Sequence, residues 1–352
     1  MLNLLGFMNF GLVLRAGAAM MTALAIAIAI GRPCIDRLKV LQKKGQPIRK
    51  IGPDHFAKAG TPALGGLFLI AAWFASALLW ARLDNQFVWI AFVTALFFAI
   101  IGFVDDIAKI KKSSHLGITG KLRLLLEFSA CLGLVWWVTH ITAAPADTTV
   151  FVPFLRELSF NALWFYIPFA MFVIVGTANS VNLTDGLDGL AIGTVIIAVS
   201  VFIMFAYVAG NPYISRELSL PHIPGTGELV VFYSALIGAG IGFLWYNCHP
   251  AQVFMGDTGS LALGGALGIL AVMVKQELLL AIVGALFAVE ALSVMIQVAY
   301  FRRTGGKRIF LMAPIHHHFE KKGWPETKIV ARFWIAGFIL AVVGASSMII
   351  GR

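Results

Sequence analysis

The stretch Asn247-Cys-His-Pro-Ala-Gln-Val-Phe-Met-Gly-Asp-Thr-Gly-Ser260 separates two apolar runs, residues 229–246 before it and 261–274 after it. It holds one acid, Asp257, beside Gly256 and Gly259, with Thr258 and Ser260 leading into the second run. Small residues let a backbone come close to a ligand, and a helix start offers free N–H groups to an anion. A carboxylate there would not itself draw a phosphate. It would hold a hard cation that the phosphate also touches. The stretch reads either as a metal–phosphate site at a membrane surface or as a polar turn between two helices, since Gly and Ser are also common turn formers.

Outward from this stretch the chain is strongly apolar. Of its 352 residues 59% are hydrophobic and 12% charged, with a mean hydropathy of +0.87. A soluble domain carries about a quarter charged residues. The composition therefore predicts an all-α integral membrane protein, crossing many times as a single polytopic domain over residues 1–352. A span needs about 20 mainly apolar residues. Ten stretches fit: 12–30, 64–83, 87–104, 122–141, 162–181, 190–209, 229–246, 261–274, 278–300 and 333–350, of which the eighth is short. No cleavable signal peptide is evident, so the first span is expected to be retained. No internal repeat, low-complexity tract or soluble domain stands out.

Lys and Arg set the orientation. Residues 31–63, 105–123 and 301–332 hold 8, 5 and 8 of them, 21 of the 27. Two loops on the same side, 182–189 and 247–260, hold none. The others, Arg15, Arg82, Arg156, Arg216, Lys275 and Arg352, fall near the opposite side. The bias places the five odd-numbered loops in the cytoplasm and both termini on the periplasmic side. The net charge of +10 is then mostly a property of the cytoplasmic face. It suits anionic headgroups and phosphorylated substrates. Nucleic acid is excluded, because no basic soluble domain exists to carry it. Cys34, Cys131 and Cys248 are an odd count without metal spacing, and read as free thiols or packing residues. The sequon-like Asn182-Leu-Thr184 would face the cytoplasm, away from glycosylation.

The polar interruptions gather on that same face. Lys58 stands before the turn Ala59-Gly-Thr-Pro-Ala-Leu-Gly-Gly66, where an ammonium would reach a phosphate; the turn lacks the Gly-Lys-Ser/Thr ending of a P-loop. Asp105 and Asp106 close the third span. A helix C-terminus disfavours negative charge, and adjacent residues project about 100° apart, so the two acids are expected to do different jobs. One would face a reacting or metal-bound oxygen, the other a nearby base; a solvated helix end is the bland reading. Lys121 opens the fourth span, where a cation is out of place unless an anion is near. On the outer side, Thr148-Thr-Val-Phe-Val-Pro153 has the makings of a short hairpin and carries nothing catalytic.

Asn179-Ser-Val-Asn-Leu-Thr-Asp-Gly-Leu-Asp-Gly189 joins the fifth and sixth spans without a linker or a basic residue. Its two Asp-Gly steps mark tight turns, and Asp185 and Asp188 would suit hydrogen bonds to a sugar or base, or a cation. In the ninth span Glu290, Ser293 and Gln297 form one polar stripe. Intramembrane ionisable residues face the interior and are functional suspects; structural pairing is the other reading of Glu290. His316, His317 and His318 cannot all point one way, so one or two are expected to meet a ligand while the rest pack. Zinc lacks support, for no cysteine or spaced His partner is present.

Taken together, four motifs resemble one family. They are the acid pair Asp105-Asp106, Asn182-Leu-Thr-Asp-Gly-Leu-Asp-Gly189, Phe254-Met-Gly-Asp-Thr-Gly-Ser260 and Ala313-Pro-Ile-His-His-His-Phe-Glu320. The first three look like the polyprenyl-phosphate sugar-1-phosphate transferase superfamily. The triple-histidine segment points within it to the phospho-N-acetylmuramoyl-pentapeptide transferases. The resemblance covers essentially the whole chain. It implies a Mg²⁺-dependent transfer of phospho-MurNAc-pentapeptide from UDP-MurNAc-pentapeptide to undecaprenyl phosphate, giving lipid I and UMP, in a bacterial inner membrane. By the same resemblance Asp257 is the metal ligand, and Asp105 is a base or orienting group for the lipid phosphate, with Asp106 its neighbour. Lys58, Asp185, Gly186, Asp188, Asn247, Phe254 and Gln297 serve the nucleoside pocket, where Phe254 would stack a uracil face. Lys121 and His316, His317 and His318, with His317 first, serve the diphosphate and sugar. A direct attack and a two-step route through an aspartyl phosphate both stay open. A homodimer is compatible with the resemblance. The rival readings are a related transferase moving GlcNAc-1-phosphate and, from another class, a secondary transporter or flippase. Transporters bind near the bilayer midplane, whereas these acids gather at cytoplasmic ends.

Overall fold

The computed structural model describes residues 11–42, 60–112, 117–155 and 157–350. In chain order these form α1 Leu12–Leu41, α2 Gly66–Trp80, α3 Gln86–Lys112, α4 Gly120–Ile141, the strands β1 Thr149–Phe151 and β2 Ser159–Asn161, α5 Tyr166–Thr184, α6 Leu190–Gly210, α7 Pro212–Glu217, α8 Leu229–Asn247, α9 Gly256–Met273, α10 Glu277–Val283, α11 Ala285–Arg303, α12 Ile315–Lys321 and α13 Glu326–Ser346. The protein is a multi-pass membrane protein of the all-α class.

Among the described residues nine helices are long and apolar enough to cross a bilayer, one fewer than the sequence suggests. The second apolar stretch, 64–83, forms only α2, of 15 residues. At 1.5 Å per residue it is about 22 Å long, short of a hydrocarbon core of about 30 Å. Other expected boundaries shift for local reasons. α1 continues through Pro33 to Leu41. α3 continues past Val104 to Lys112, since no helix breaker follows the apolar run, so Asp105 and Asp106 lie inside a helix and not at its end. The ninth span divides at Gly284 into α10 and α11. The anticipated hairpin is present, with Val150 opposite Phe160.

The short eighth stretch turns out to be the central helix. α9 is buried from Thr258 to Met273 without a break, and α3 and α5 pack along it, with α2 and α6 touching it. Gly264 and Gly268 on α9 let the α5 backbone approach, the usual means of close helix contact in lipid, and Gly265 leaves room for the ring of Phe98. α1, α2 and α8 pack together beside this core, and α13 lies against α6 and α10.

Buried charges at the end opposite the acid motifs tie the layers together. Lys275, fully buried, donates 2.7 Å hydrogen bonds to the carbonyl of Asp147 and the hydroxyl of Tyr166, whose O–H is bonded to Glu277. Arg15 of α1 forks onto Glu228 before α8, its Nη1 donating at 2.9 Å, and the Arg82 N–H adds a 3.2 Å bond to the same carboxylate. Removing one member of such a pair leaves a buried charge alone, at a cost of about 3–5 kcal/mol. Arg15→Met is therefore expected to lower the thermal midpoint in detergent sharply, and Arg15→Met/Glu228→Leu to recover most of the loss. An unchanged midpoint in the single variant would show that the pair does not hold α1.

Candidate active site

The first turn of α9 carries Asp257, and its placement follows from two glycines. Gly256 has φ +76°, so the chain can turn sharply into the helix. Gly102 of α3 lets the two helices touch there: a Cβ on it would lie 2.2 Å from the carbonyl oxygen of Asp257. α9 has no capping side chain of its own. The cap comes from α3. Asp106 accepts from the Asp257 N–H at 3.1 Å, the Thr258 N–H at 2.9 Å and the Thr258 hydroxyl at 2.7 Å. An acid satisfies the free N–H groups and the positive end of the helix dipole at once. Asp106 thus holds the backbone of Asp257 and Thr258 through both its oxygens.

Asp105, one residue earlier, faces the other way. Its Oδ1 accepts from the Ile118 N–H at 2.7 Å, and its Oδ2 lies 2.7 Å from Nζ of Lys109, one helical turn on. The same ammonium is 3.0 Å from Oδ2 of Asp257. Arg123 of α4 reaches that oxygen at 3.3 Å, donates at 2.7 Å to Asn179 of α5, and lies 3.6 Å from Glu127, which also accepts from Asn179 at 2.6 Å. Four helices, α3, α4, α5 and α9, meet in this network. Lys121 is exposed on the first turn of α4, and it is Arg123, two residues on, that turns inward to the acids.

The α5–α6 loop closes a second side. Burial, reinforced by the carboxylates of Asp257, Asp106 and Asp188, pushes Asp185 up to about 8. Surplus negative charge of this kind, all on oxygen, fits a hard divalent cation, and Mg²⁺ with it. Asp188 is tied down: its Oδ2 accepts from the Ala251 N–H at 3.1 Å and meets His249 at 3.3 Å, while its own N–H donates to Glu326 at 2.7 Å. Asn247 stitches the two loops, accepting from Gly189 N–H at 3.1 Å and donating to the Val253 carbonyl at 2.9 Å. The backbone of Phe254 is bracketed by Pro62 and Gly65, each at 2.9 Å, and its ring is half-buried.

The histidines of α12 differ from one another. His316 is fully buried, facing Glu290 on one side and Gly186 on the other. His317 is half-buried and bonded to Glu320. Nδ1 of His318 accepts from the Leu311 N–H at 3.1 Å, which requires a neutral ring. Burial and the neighbouring Lys322 hold its pKa below the usual imidazole value, in agreement. Gln297 does not project freely into the nucleoside side. Its Oε1 accepts from Ile309 and Phe310, and its Nε2 donates to the Phe310 carbonyl, so its amide is committed to holding the loop that leads to α12. Lys58 lies outside the described residues.

Asp105, Asp106, Asp257, Asp185, Gly186 and His316 therefore meet at one end of the bundle, with Asp188 and Phe254 in the adjoining loops and Asn247 at the end of α8. Lys109, Arg123, Glu127 and Asn179 are partners that the motif reading misses. The signal for three of them is in the sequence, as the helical i, i+4 pairs Asp105/Lys109 and Arg123/Glu127.

Comparison with known proteins identifies the family. The profile of Glycosyl transferase family 4 matches residues 88–275, a segment running from α3 through α9. The chain is 53% identical over 347 residues to the phospho-N-acetylmuramoyl-pentapeptide-transferase of Ruegeria pomeroyi, covering 98% of this chain and 95% of the relative. It is 52% identical, with the same coverage, to the protein of that name from Ruegeria sp. (strain TM1040).

Proposed function

Since the chain belongs to the phospho-N-acetylmuramoyl-pentapeptide-transferase family, we propose a division of labour among the residues of this cluster. The enzyme transfers phospho-MurNAc-pentapeptide from UDP-MurNAc-pentapeptide to undecaprenyl phosphate, giving lipid I and UMP, a membrane step of peptidoglycan synthesis. The cluster faces the cytoplasm of a bacterial inner membrane, the side on which the basic loops gather, and both termini lie on the periplasmic side.

The single observation that carries this reading is Lys109 held between Asp105 and Asp257 beside Arg123, at the capped start of α9. Crowded negative charge is the main obstacle when a lipid phosphate attacks a diphosphate. Lys109 and Arg123 meet that charge from positions fixed by ion pairs, so they need no reorganisation as the charge shifts. Mg²⁺ held by Asp257 would supply further charge neutralisation between the two phosphate groups. Asp105 serves as an orienting group. A phosphate monoester is already largely ionised at neutral pH, so a strong base is not required, and both oxygens of Asp105 are engaged in holding Ile118 and Lys109. Asp185, Gly186, Asp188, Asn247 and Phe254 form the nucleoside side, in which Asn247 and Asp188 shape the loops and Phe254 stacks the uracil. Gln297 acts by holding the chain that presents α12. His317 serves the diphosphate and sugar, while Lys121, exposed on the first turn of α4, adds positive charge to that end of the protein.

Release of UMP by the purified protein, from UDP-MurNAc-pentapeptide and in the presence of undecaprenyl phosphate, tests the whole reading. Lipid I formation is expected. Turnover with UDP-GlcNAc alone, or substrate flux across vesicles without UMP release, would overturn it.

Asp185 gives the cation site a pH signature. With its folded pKa at about 8, well above the ordinary carboxylate value, Asp185 holds its proton at neutral pH unless a cation is near. Mg²⁺ must displace that proton. Its affinity, read by calorimetry, is expected to rise with pH up to about 8 and then level. In metal-free protein the sign for stability is the reverse. The contribution of Asp185 is fully present below its unfolded pKa and is lost as pH rises through about 8. A Mg²⁺ affinity independent of pH between 6 and about 8 would remove Asp185 from the cation's surroundings.

A further inference from the structure

Glu290 is the acid of α11, and it is wholly buried. An ionisable side chain in an apolar span turns toward an interior partner. Here the partner is His316, whose Nδ1 lies 3.1 Å from Oε2 of Glu290, with both side chains fully buried. The contact is a close charge pair and not a hydrogen bond: among the described residues neither carboxylate oxygen of Glu290 and neither ring nitrogen of His316 makes a hydrogen bond. Ser293, which shares the polar stripe, directs its hydroxyl to the Glu290 carbonyl at 2.7 Å and not to the carboxylate.

The far edge of the ring reaches the α5–α6 loop. A Cβ at Gly186 would stand 2.2 Å from Nε2 of His316, so only the bare glycine backbone fits against that nitrogen. His317 crosses the ring edge-on at 4.1 Å between centroids and is itself bonded to Glu320. One imidazole thus connects an intramembrane carboxylate to the loop that carries Asp185 and Asp188.

We propose that Glu290 is a positioning residue for the transfer reaction, fixing the orientation and tautomer of His316 so that Nε2 faces the Asp185–Gly186 loop. A carboxylate beside one ring nitrogen favours the tautomer that carries the proton there and holds the ring in one orientation. Nε2, itself buried against Gly186, then braces that loop, so the ring acts on the UDP substrate through the Asp185–Asp188 segment. The proposal rests on the reading of that loop as part of the substrate site. It also accounts for Glu290 without a transport role: the acid lies beside the triple-histidine segment and not alone in the span.

The test uses the full-length purified enzyme and its UDP substrate. Glu290→Gln is expected to lower kcat by about 10- to 100-fold, as loss of a partner that orients a histidine does, while KM changes by less than about threefold. The thermal midpoint should stay near that of the parent, and Glu290→Asp should recover part of the rate. His316→Asn should cost at least as much, and adding Glu290→Gln to it should cost little more, because the two act as one unit. Parent-like kcat in Glu290→Gln, or losses that multiply in the double variant, would overturn the proposal. If Glu290→Gln does not fold, the same comparison on Glu290→Asp decides. Full turnover in His316→Asn would instead sink the reading of the loop itself. A dead His316→Asn beside an active Glu290→Gln would sink the role of Glu290 alone.

Discussion

Asp257→Ala is expected to lower turnover by about 10³-fold or more and to abolish Mg²⁺ binding measured by calorimetry, with the fold retained. The expectation follows from where the carboxylate stands. Its Oδ2 is the meeting point of Lys109, at 3.0 Å, and Arg123, at 3.3 Å. Removing it separates the two cations from the site they share and takes away the oxygen offered to the metal. The start of α9 does not depend on this side chain, because the cap is the Asp106 carboxylate acting on backbone N–H groups. Stability should therefore change little while the rate collapses. A near-normal rate in Asp257→Ala would refute the metal assignment. A collapse of the fold would show that the acid is needed for packing.

Asp106→Ala should behave differently, lowering stability and turnover together. The substitution leaves the N–H groups of Asp257 and Thr258 and the Thr258 hydroxyl without their acceptor in a buried place. Loss of a cap costs about 0.5–2 kcal/mol, and an unsatisfied buried donor about 1–3 kcal/mol. The first turn of α9 would then shift, carrying Asp257 with it, and a misplacement of about 1 Å can cost roughly 10²-fold in rate. Asp106→Asn keeps one acceptor oxygen and should fall between the two. The discriminating measurement is the thermal midpoint alongside kcat. If Asp106→Ala loses turnover with its midpoint unchanged, Asp106 touches the reaction directly and the capping role is secondary.

The contrast between these two adjacent acids marks the limit of what motifs convey. In the sequence Asp105-Asp106 is a pair at the edge of an apolar run. Helix geometry separates them, and α9 captures only the second. The cations are similar. Lys109 and Arg123 are, by sequence, two of 21 basic residues on one face of the protein, and nothing in composition ranks them above Lys121. Packing ranks them: Arg123 points between α5 and α9, whereas Lys121 faces outward on the same helix. Asn247 and Gln297, polar at the ends of apolar helices, suggest ligand contacts in the sequence. In the fold they bond to backbone that would otherwise be unsatisfied, and so act on the site through the loops they hold.

Hydropathy alone determined that this is an all-α membrane protein, because burying a helix in lipid requires a continuous apolar run that any local window detects. It likewise located the polar interruptions where chemistry had to lie. Only the tertiary structure decided that α9 is the centre, that the ninth span breaks at Gly284, and that Asp106 caps a helix beginning 150 residues further along the chain. Those outcomes depend on the rotation and depth at which separate helices pack, and a contact such as Asp106 with Thr258 has no local trace in the chain.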